Sequence, residues 1–540
     1  MRSFVVKLEI NYPEKDFICL FTLDYAFLML NLHIPNLQPL THNQKNRLLI
    51  TVILFLTALP GYCEGMPTPY GQEEMIEYRG TVRASFAGGE NTPFWLVGNI
   101  HGLGSPEFNN GYVRGEIYKR MNSEARFSWG VGADLTGAWN LPAAFGVRQL
   151  FGEIHYRALW ASIGSRNYES NYNNPRLSTG DLLFSGNSMA IPQIRIGTNG
   201  FAPFWGTRGW FSVKSYLAYG FFTDSRWQQS WVVKGADRTS DVLFCSRGLW
   251  LRGGNFEKFP LTFDVGIEMG TQFGGTIYKD GHKIKMPKGF DAWMKAIIPM
   301  AGDKSTPKDE QTNVQGNMTG EYSISVAYSP ASGWLIRPYW EHYFEDHSQM
   351  TFEYGLWKDG LYGIEISFPK NPIISTFVYE YIGTKDQTGS VNHNYTPEIP
   401  EQASGGDNYF NHYLYGSWQN WGMSIGTPLA ISPLYNRDHR LRIYNTRFIA
   451  NHVGFEGNPI EGIDWRLLLT FSRNWGSYHY PLQDVYTNWS GLAEISYQPS
   501  WAKGWKAIGA LAWDRGKLLG NNFGGMISLS YEGNFSIKKK

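Results

Sequence analysis

Cysteine and charged residues are both scarce in this chain. It has three cysteines in 540 residues, and Asp, Glu, Lys and Arg together make up 18% of it, against about 25% in an average soluble domain. The formal net charge at pH 7 is +1, which provides no broad basic surface for a nucleic acid. Low charge combined with many aromatic residues also excludes a disordered chain, a coiled coil and a typical cytosolic enzyme.

A hydrophobic run long enough to cross a membrane as a helix is missing as well. The apolar run at residues 48–58 has 11 residues, whereas a membrane helix needs about 20. Lys45 and Arg47 precede this run and Cys63 follows it, a pattern typical of a cleaved signal peptide. We therefore predict that residues 1–63 are a signal peptide behind an extension from an upstream start codon, and that cleavage occurs near Cys63.

The remaining segment, residues 64–540, is predicted to form one domain. It contains no linker and no shift of composition, and its single cysteine, Cys245, excludes an intrachain disulfide. A secreted chain of this length without disulfides must be stabilised by a large core or by a closed, hydrogen-bonded barrel.

Aromatic residues and glycine are abundant. Phe, Tyr and Trp make up 16% of the chain and Gly contributes 60 residues, about 11% against a usual ~7%. They occur in segments of about ten residues in which apolar and polar side chains alternate. In residues 465–471 every odd position is large and apolar, and in residues 321–328 every even position is. This period of two predicts β-strands with one apolar face.

The alternating segments predict an all-β fold, a transmembrane antiparallel β-barrel of about 18 strands (16–18 at roughly 25 residues per strand and turn). In several segments the apolar face begins or ends in an aromatic residue, as in the girdle at a membrane interface. We expect long extracellular loops, and short helices at the periplasmic end. A soluble β-sandwich or propeller would alternate too, but the ten-residue segments and the lack of a repeat of about 40–50 residues favour the barrel.

Several ordered motifs resemble one family. They are LLFSGNSMAIPQIRIG at residues 182–197, GIEMGTQFGG at 266–275, GDNYFNH at 406–412 and IGTP at 425–428. From about Tyr78 to its C-terminus the chain resembles the capsule assembly Wzi family of outer-membrane proteins. One departure is Cys245, where relatives are expected to have His.

The resemblance implies a monomeric barrel of about 18 strands in the outer membrane. It implies a lectin-like role, in which the protein anchors or assembles capsular or exported polysaccharide at the cell surface without catalytic residues. We expect no cofactor and no metal. The expected partners are the polysaccharide, outer-membrane lipid and, during biogenesis, the barrel-insertion machinery. An aromatic residue near the end of the last predicted strand, residues 524–535, fits recognition by that machinery.

One polar cluster in a predicted loop has the chemistry of a sugar site. Sugar binding needs aromatic faces for the C–H faces of the rings and planar polar groups for the hydroxyls. The candidate binding residues are Asp407, Asn408, Tyr409, Asn411 and His412. The alternative is a turn in which the Asp and Asn side chains cap the backbone.

Acidic and basic residues in the strands predict a polar network in the lumen. Glu345 and Asp346 are adjacent, so on a strand they point to opposite faces and cannot form the facing carboxylate pair of a glycosidase. A salt-bridge network that plugs or narrows the barrel is the better interpretation. Its candidate members are Arg195, Arg337, Glu345, Asp346, Asp359, Arg447 and Arg466.

Two other functions remain open from the sequence. An outer-membrane channel for a saccharide or another solute would share every strand pattern and would differ by an open lumen. A barrel enzyme would need a convergent catalytic site. Residues 422–426 (GMSIG) match the spacing of a nucleophile elbow around Ser424, but that motif needs a strand-to-helix turn, and Thr427 and Pro428 follow here within an alternating segment.

Overall fold

The computed structural model describes residues 74–122, 125–204, 206–298, 300, 306–307, 314–345, 350, 359–387, 391–393, 403–404 and 407–537. The predicted signal peptide, its cleavage position and the N-terminal extension lie outside these residues. Within them, no helix is long and apolar enough to cross a membrane.

Antiparallel strands dominate the described part of the chain. The first nine barrel strands are β1 Glu74–Gly88, β2 Gly111–Lys119, β3 Phe127–Trp139, β4 Phe145–Tyr156, β5 Leu159–Ser165, β6 Gln193–Thr198, β7 Phe211–Phe221, β8 Leu243–Gly254 and β9 Leu261–Phe273. The next nine are β10 Asn317–Tyr328, β11 Leu335–Glu345, β12 Gly360–Ser367, β13 Thr376–Gly383, β14 Arg447–Ile460, β15 Ile463–Gly476, β16 Pro481–Tyr497, β17 Trp505–Gly516 and β18 Asn522–Ile537.

Each of these strands pairs with the next along the chain, and β18 pairs with β1 to close the barrel. The closing register runs from Glu74 opposite Ile537 to Gly88 opposite Phe523. Closure leaves no unpaired strand edge, which is what a sheet in hydrocarbon requires because nothing there can satisfy free backbone groups. The prediction of a closed antiparallel barrel of about 18 strands is confirmed.

Apolar side chains cover the outside of the barrel. Ile163 on β5 is 62% exposed, Leu511 on β17 is 55% exposed and Ile527 on β18 is 66% exposed, while Ser162 and Ser528 beside them are buried. Large apolar groups facing outward and small polar groups facing inward are the arrangement of a barrel surrounded by lipid.

Glycines on the inner wall make room for aromatic rings. Gly266 on β9 lies directly opposite Trp250 on β8, and a Cβ at Gly266 would lie 1.9 Å from Trp250 Cδ1. Gly363 lies opposite Tyr339, where a Cβ would lie 2.1 Å from Tyr339 Cζ. The high glycine content therefore belongs to the packing of the wall, where a ring covers the glycine on the neighbouring strand.

The two ends of the barrel differ in their connections. At the end of the chain termini the connections are short, such as residues 157–158 and 461–462, whereas the opposite end carries long segments such as residues 166–192. Long loops mark the extracellular end of outer-membrane barrels. The two α-helices among the described residues, α1 Ser225–Trp231 and α2 Phe290–Ile297, lie in loops of this end.

The expectation of short helices at the periplasmic end is therefore not met by the described residues. The described connections at that end contain no α-helix, whereas the loops after β7 and β9 contain one each. A three-stranded sheet of Arg238–Ser240, Thr276–Lys279 and His282–Lys285 joins these same two loops.

We predict that Leu511→Arg destabilises the barrel by about 2–4 kcal/mol, the cost of a charge facing lipid at mid-depth. Leu511 lies at the middle of β17 with its side chain outward. Trp501→Arg is the matched control, since Trp501 is 81% exposed in the turn before that strand. The measurement is the free energy of unfolding in urea after refolding into lipid vesicles; equal values for the two variants would contradict a lipid-facing Leu511.

Candidate functional site

The inner wall of the barrel carries carboxylates on consecutive strands. Six of them, on strands β9 to β14, are considered together, and most are buried among neighbouring side chains. A buried carboxylate is costly unless donors or cations satisfy it. These wall carboxylates are Glu268, Glu321, Glu341, Glu365, Glu380 and Glu456.

Backbone amides of one loop satisfy three of these carboxylates. Leu183 N–H donates to Glu321 Oε2 at 3.0 Å, and Leu182 N–H donates to Glu341 Oε2 at 3.0 Å. Glu380 Oε2 accepts the Thr179 N–H at 2.7 Å and the Thr179 hydroxyl at 2.8 Å. Residues 173–183, which we call the plug segment, therefore lie inside the barrel against its wall.

Side chains of the plug segment satisfy the carboxylates of two further strands, β12 and β14. Asn174 Nδ2 donates to Glu365 Oε1 at 3.0 Å, and Arg176 Nε donates to Glu456 Oε2 at 2.7 Å. His452 on β14 contacts the Leu177 carbonyl through Nε2 at 2.7 Å. The plug segment is thus fixed to five consecutive strands, β10 to β14.

A second loop packs over the plug segment inside the lumen. Trp418 Nε1 donates to the Leu183 carbonyl at 3.0 Å, and Ser185 N–H donates to the Ile425 carbonyl at 2.9 Å. Asn187 Nδ2 donates to the Ser424 carbonyl at 3.0 Å. Residues 166–192 and 407–446 therefore hold each other within the barrel.

A third loop fills the opposite side of the lumen. Phe94 N–H donates to Asp514 Oδ2 on β17 at 3.0 Å, and Trp95 Nε1 donates to Thr470 Oγ1 on β15 at 3.0 Å. Both aromatic side chains are buried. Three described loops thus occupy the space that a wide aqueous channel would need.

The four arginines of the predicted lumen network take different partners. Arg337 pairs with Glu365 directly across the strand pair, and Arg466 Nη2 lies 2.6 Å from Glu494 Oε2. Neither partner was among the predicted members.

The other two arginines contact aromatic rings. The guanidinium of Arg195 lies 3.8 Å from the ring centroid of Tyr168 and 3.3 Å from that of Tyr216. Arg447 lies 3.8 Å from the ring of Tyr478, and its Nε donates to the Lys385 carbonyl at 2.9 Å.

The predicted acids of that network hold backbone amides. Glu345 accepts the Phe410 N–H, and Asp359 accepts the N–H groups of Asp386 and Gln387. Burial raises the pKa of Asp359 to about 6. Asp346 lies outside the described residues. Glu345 and Asp359 therefore stabilise loops at the mouth and within the lumen, and the arginine–acid network as a whole stays a prediction.

The predicted sugar cluster at residues 407–412 folds its own loop. Tyr409 is fully buried and its ring packs edge-on against Tyr343, with centroids 4.9 Å apart. Asn411 exchanges two hydrogen bonds with the backbone of Ile443, at 2.9 and 3.0 Å. His412 Nδ1 accepts the Leu414 N–H at 3.1 Å.

The two remaining members of the cluster also make local contacts. Asp407 Oδ1 accepts the Asn408 N–H at 3.2 Å, and Asn408 Oδ1 accepts Asn411 Nδ2 at 3.2 Å. These are the capping contacts of the turn alternative. The role of the cluster in ligand binding stays a prediction, with the Tyr409 ring unable to face a ligand from its buried position.

Two further residues considered in the sequence, Ser424 and Cys245, are both buried in the structure. Ser424 is buried in the two-residue strand Met423–Ser424, which pairs with Gln419–Asn420 and leads into no helix, so it lacks the geometry of a nucleophile elbow. Cys245 is buried on β8 beside Phe273 and the helix α2. A thiol there fills a small apolar space.

A luminal cavity of about 120 Å³ lies beside the plug segment. Its wall includes the rings of Tyr168, Tyr216 and Trp250 together with Arg195 and Glu268. The cavity is polar and aromatic, but it is smaller than the cavity of about 150 Å³ that holds benzene in another protein. Water or a small ion suits it better than a sugar ring.

Among the described residues, three carboxylates beside this cavity lie close enough together to hold a metal ion. Asp181, Glu268 and Glu321 bring carboxylate oxygens within 4.8 Å of one another. Burial raises the pKa of Asp181, and the nearby Glu268 carboxylate adds to the shift. Protonation of Asp181 therefore relieves the repulsion among these acids without a cation.

The wall carboxylates were missed by the sequence analysis, although they left a signal. Glu321 and Glu365 each stand among small residues on the inward face of a strongly alternating strand. A lone glutamate at such a position on successive strands indicates that something inside the barrel donates hydrogen bonds to it.

Comparison with known proteins identifies the fold. No protein-family model and no curated protein matches the chain. Among solved structures it is similar to Wzi of Escherichia coli, described as an outer-membrane protein involved in group 1 capsule assembly and a carbohydrate-binding β-barrel. The identity is 12% and the TM-score 0.51, over 93% of this chain and 90% of that one. The chain therefore has a Wzi-like outer-membrane β-barrel fold.

Other solved structures share less of the geometry. OccK3 of Pseudomonas aeruginosa is 9% identical with a TM-score of 0.42, over 85% of this chain and 96% of that one. OccAB4 of Acinetobacter baumannii is 9% identical with a TM-score of 0.42, over 86% of this chain and 99% of that one.

We predict that Glu380→Ala releases the plug segment. The change leaves the Thr179 amide, the Thr179 hydroxyl and the Tyr339 hydroxyl without their acceptor, at a cost of about 3 kcal/mol. The measurements are single-channel conductance in planar bilayers and the rate of proteolysis within residues 166–192, both of which should rise. Glu461→Ala, in an exposed turn, is the control, and identical behaviour of the two variants would contradict this anchoring.

We predict that His412 makes the barrel sensitive to acid. Burial lowers the pKa of His412 to about 4, and Lys279 adds to the shift. Because the unfolded side chain has a pKa of about 6.5, the unfolded state binds the extra proton as pH falls from about 6.5 to 4. Stability is therefore present above pH 6.5 and is lost across that window.

The measurement is the free energy of unfolding in detergent micelles at pH 7.5 and pH 4.5. His412→Asn keeps an acceptor but does not titrate, so the loss between the two pH values should be about 2–3 kcal/mol smaller in this variant. The same loss in both proteins would show that His412 does not titrate in this way.

Proposed function

We propose that this chain is an outer-membrane barrel that holds capsular or exported polysaccharide at the cell surface without catalysis. The observation that carries the proposal is the filled lumen. The plug segment, held by wall carboxylates such as Glu341 and Glu380, and the loops packed around it occupy the interior. The parts left to meet a large extracellular ligand are the loops at the extracellular end.

The fold likeness supports the same function. Wzi of E. coli, whose fold this chain shares, is described as a carbohydrate-binding barrel involved in capsule assembly. The motifs quoted from this sequence, such as residues 182–197 and 406–412, resemble that family independently of the fold. In the structure residues 182–192 and 407–412 lie within the loops that fill the lumen, and residues 193–197 belong to β6.

The filled lumen also weighs against the channel. Trp418, Leu183 and Phe410 are fully buried where the described loops pack together in the lumen, which supports a lumen too narrow for a polysaccharide chain. Ser424, the best candidate for a nucleophile, is buried and lies away from any strand-to-helix turn, so nothing in the described residues favours an enzyme.

The proposal is tested on cells that lack the gene. We expect polysaccharide to move from the cell-bound fraction to the medium while total synthesis stays unchanged, and the wild-type gene to restore retention. The measurement is the polymer in each fraction after gentle centrifugation. A complementing gene that carries Trp501→Arg, changed only in a turn at the opposite end, should restore retention as well.

Two outcomes would contradict the proposal. One is unchanged retention in the deletion strain. The other is a stable ohmic conductance of the purified wild-type barrel in planar bilayers, which would show an open lumen and favour the channel.

A further inference from the structure

A second and larger cavity lies at the extracellular end of the barrel. It measures about 250 Å³ and is formed where three loops meet. Residues 89–110 contribute Asn91, residues 407–446 contribute Tyr435 and Tyr444, and residues 517–521 contribute Leu518. The cavity is separate from the predicted cluster at residues 407–412, none of whose side chains lines it.

The wall of this cavity has the groups that recognise a sugar. Two aromatic rings, Tyr435 and Tyr444, can face the C–H side of a pyranose ring. The side-chain amides of Asn91, Asn436 and Asn445 line the cavity as well, and an amide oxygen can accept a hydrogen bond from a sugar hydroxyl.

Hydrogen bonds hold these side chains in place before any ligand binds. Asn436 Nδ2 donates to the carbonyls of Arg440 and Arg442 at 2.8 and 2.7 Å. Tyr444 donates from its hydroxyl to Asp438 Oδ2 at 2.6 Å. A wall that is already ordered loses little conformational entropy when a ligand enters.

Two residues of the wall also have hydrogen-bonding capacity that the protein leaves unused. Asn445 is 4% exposed, and its Nδ2 donates to Asn474 Oδ1 at 2.9 Å, but its Oδ1 has no partner among the described residues. The buried hydroxyl of Tyr435 has none either. Such groups carry a desolvation cost; because both atoms have almost no accessible surface, a ligand hydroxyl offsets that cost only when the side chain turns toward the cavity.

The charges of the wall indicate a neutral ligand. Its one carboxylate and its one guanidinium, Glu90 and Arg437, pair with each other at 2.9 Å. The pair is largely exposed, with 54% and 78% of the two side chains accessible, so it lies where solvent screens it. The described residues of this wall include no unpaired cation that would favour an acidic sugar.

Size decides between the two cavities of the barrel. The luminal cavity, at about 120 Å³, is too small for a hydroxylated six-membered ring. The extracellular cavity, at about 250 Å³, exceeds the roughly 150 Å³ that holds benzene and stays below the roughly 300 Å³ at which pockets for drug-sized ligands begin. It therefore has room for one monosaccharide unit.

We propose that this cavity binds one neutral pyranose unit of a surface polysaccharide; the identity of the ligand as part of that polymer rests on the proposed function. The aromatic rings receive the sugar ring, and the asparagine amides receive its hydroxyls. In this proposal the sugar is bound by residues of the cavity and not by the cluster at residues 407–412.

The test uses the purified full-length barrel in detergent with methyl glycosides as probes. The methyl glycosides of glucose, galactose and mannose are compared with methyl glucuronide by saturation-transfer difference NMR. We expect at least one neutral glycoside to give a signal stronger than that of the glucuronide. Leu518→Trp, which fills the cavity, should weaken that signal at least tenfold.

Two further variants keep the test decisive. Val233→Trp places the same side chain in an exposed extracellular loop outside the cavity and should leave the signal unchanged. Tyr435→Phe removes only a hydroxyl without a partner, so it folds, and it should weaken the signal at least threefold. A signal that persists in both Leu518→Trp and Tyr435→Phe, or one that is strongest for the glucuronide, would overturn the site.

Complementation of the deletion strain distinguishes failure of the proposed site from failure of the proposed function. If the deletion strain sheds polymer but the Leu518→Trp gene restores retention fully, the retention function stands and the cavity is wrong. If glycoside binding depends on Leu518 as described but deletion causes no shedding, the site stands and the retention function is wrong.

Discussion

Hydrogen bonds from backbone amides of the plug segment to buried glutamates are the interaction on which the rest of this structure depends. A carboxylate such as Glu341 or Glu380 on the inner wall would cost several kcal/mol if it were left without donors. The amides of Leu182 and Thr179 would likewise be costly inside the barrel without acceptors. Hydrogen bonds between the two satisfy both sets at once, so the wall and the loop stabilise each other.

This mutual dependence follows from the width of the barrel. Eight strands leave an interior that side chains can fill, whereas a barrel of about 18 leaves a lumen wide enough for a channel. Here the inward positions hold small or polar residues, such as Ser162 and Ser528, which cannot fill it. Loops must enter instead, and they need acceptors along the wall. Once anchored at their inner ends, those loops present an ordered surface at the extracellular end, which is the property that a binding protein needs.

The period of two was readable in the sequence because it depends only on neighbouring residues, and it predicted the strands, their lipid-facing side and a strand count that includes the observed 18. The partners of inward side chains were not readable, because they depend on which loop enters the barrel. Glu345 meets the amide of Phe410 from a distant loop, and no local pattern around either residue indicates the contact. For the same reason Tyr409 looked available to a ligand in the sequence but is buried in the structure.

The proposed cavity for a single sugar unit is small for the proposed task of retaining a polymer, but the repetition of the polymer would make it sufficient. One pyranose ring bound by a few amides and two tyrosine rings, Tyr435 and Tyr444, gains modest affinity, since small sites bury little area. A polysaccharide offers the same unit many times, and a cell surface offers many copies of the barrel. Each further contact is then made at a high effective concentration, so weak sites together can hold the chain firmly while single units still exchange. A tight site would gain little retention and would slow the growth and rearrangement of the surface layer.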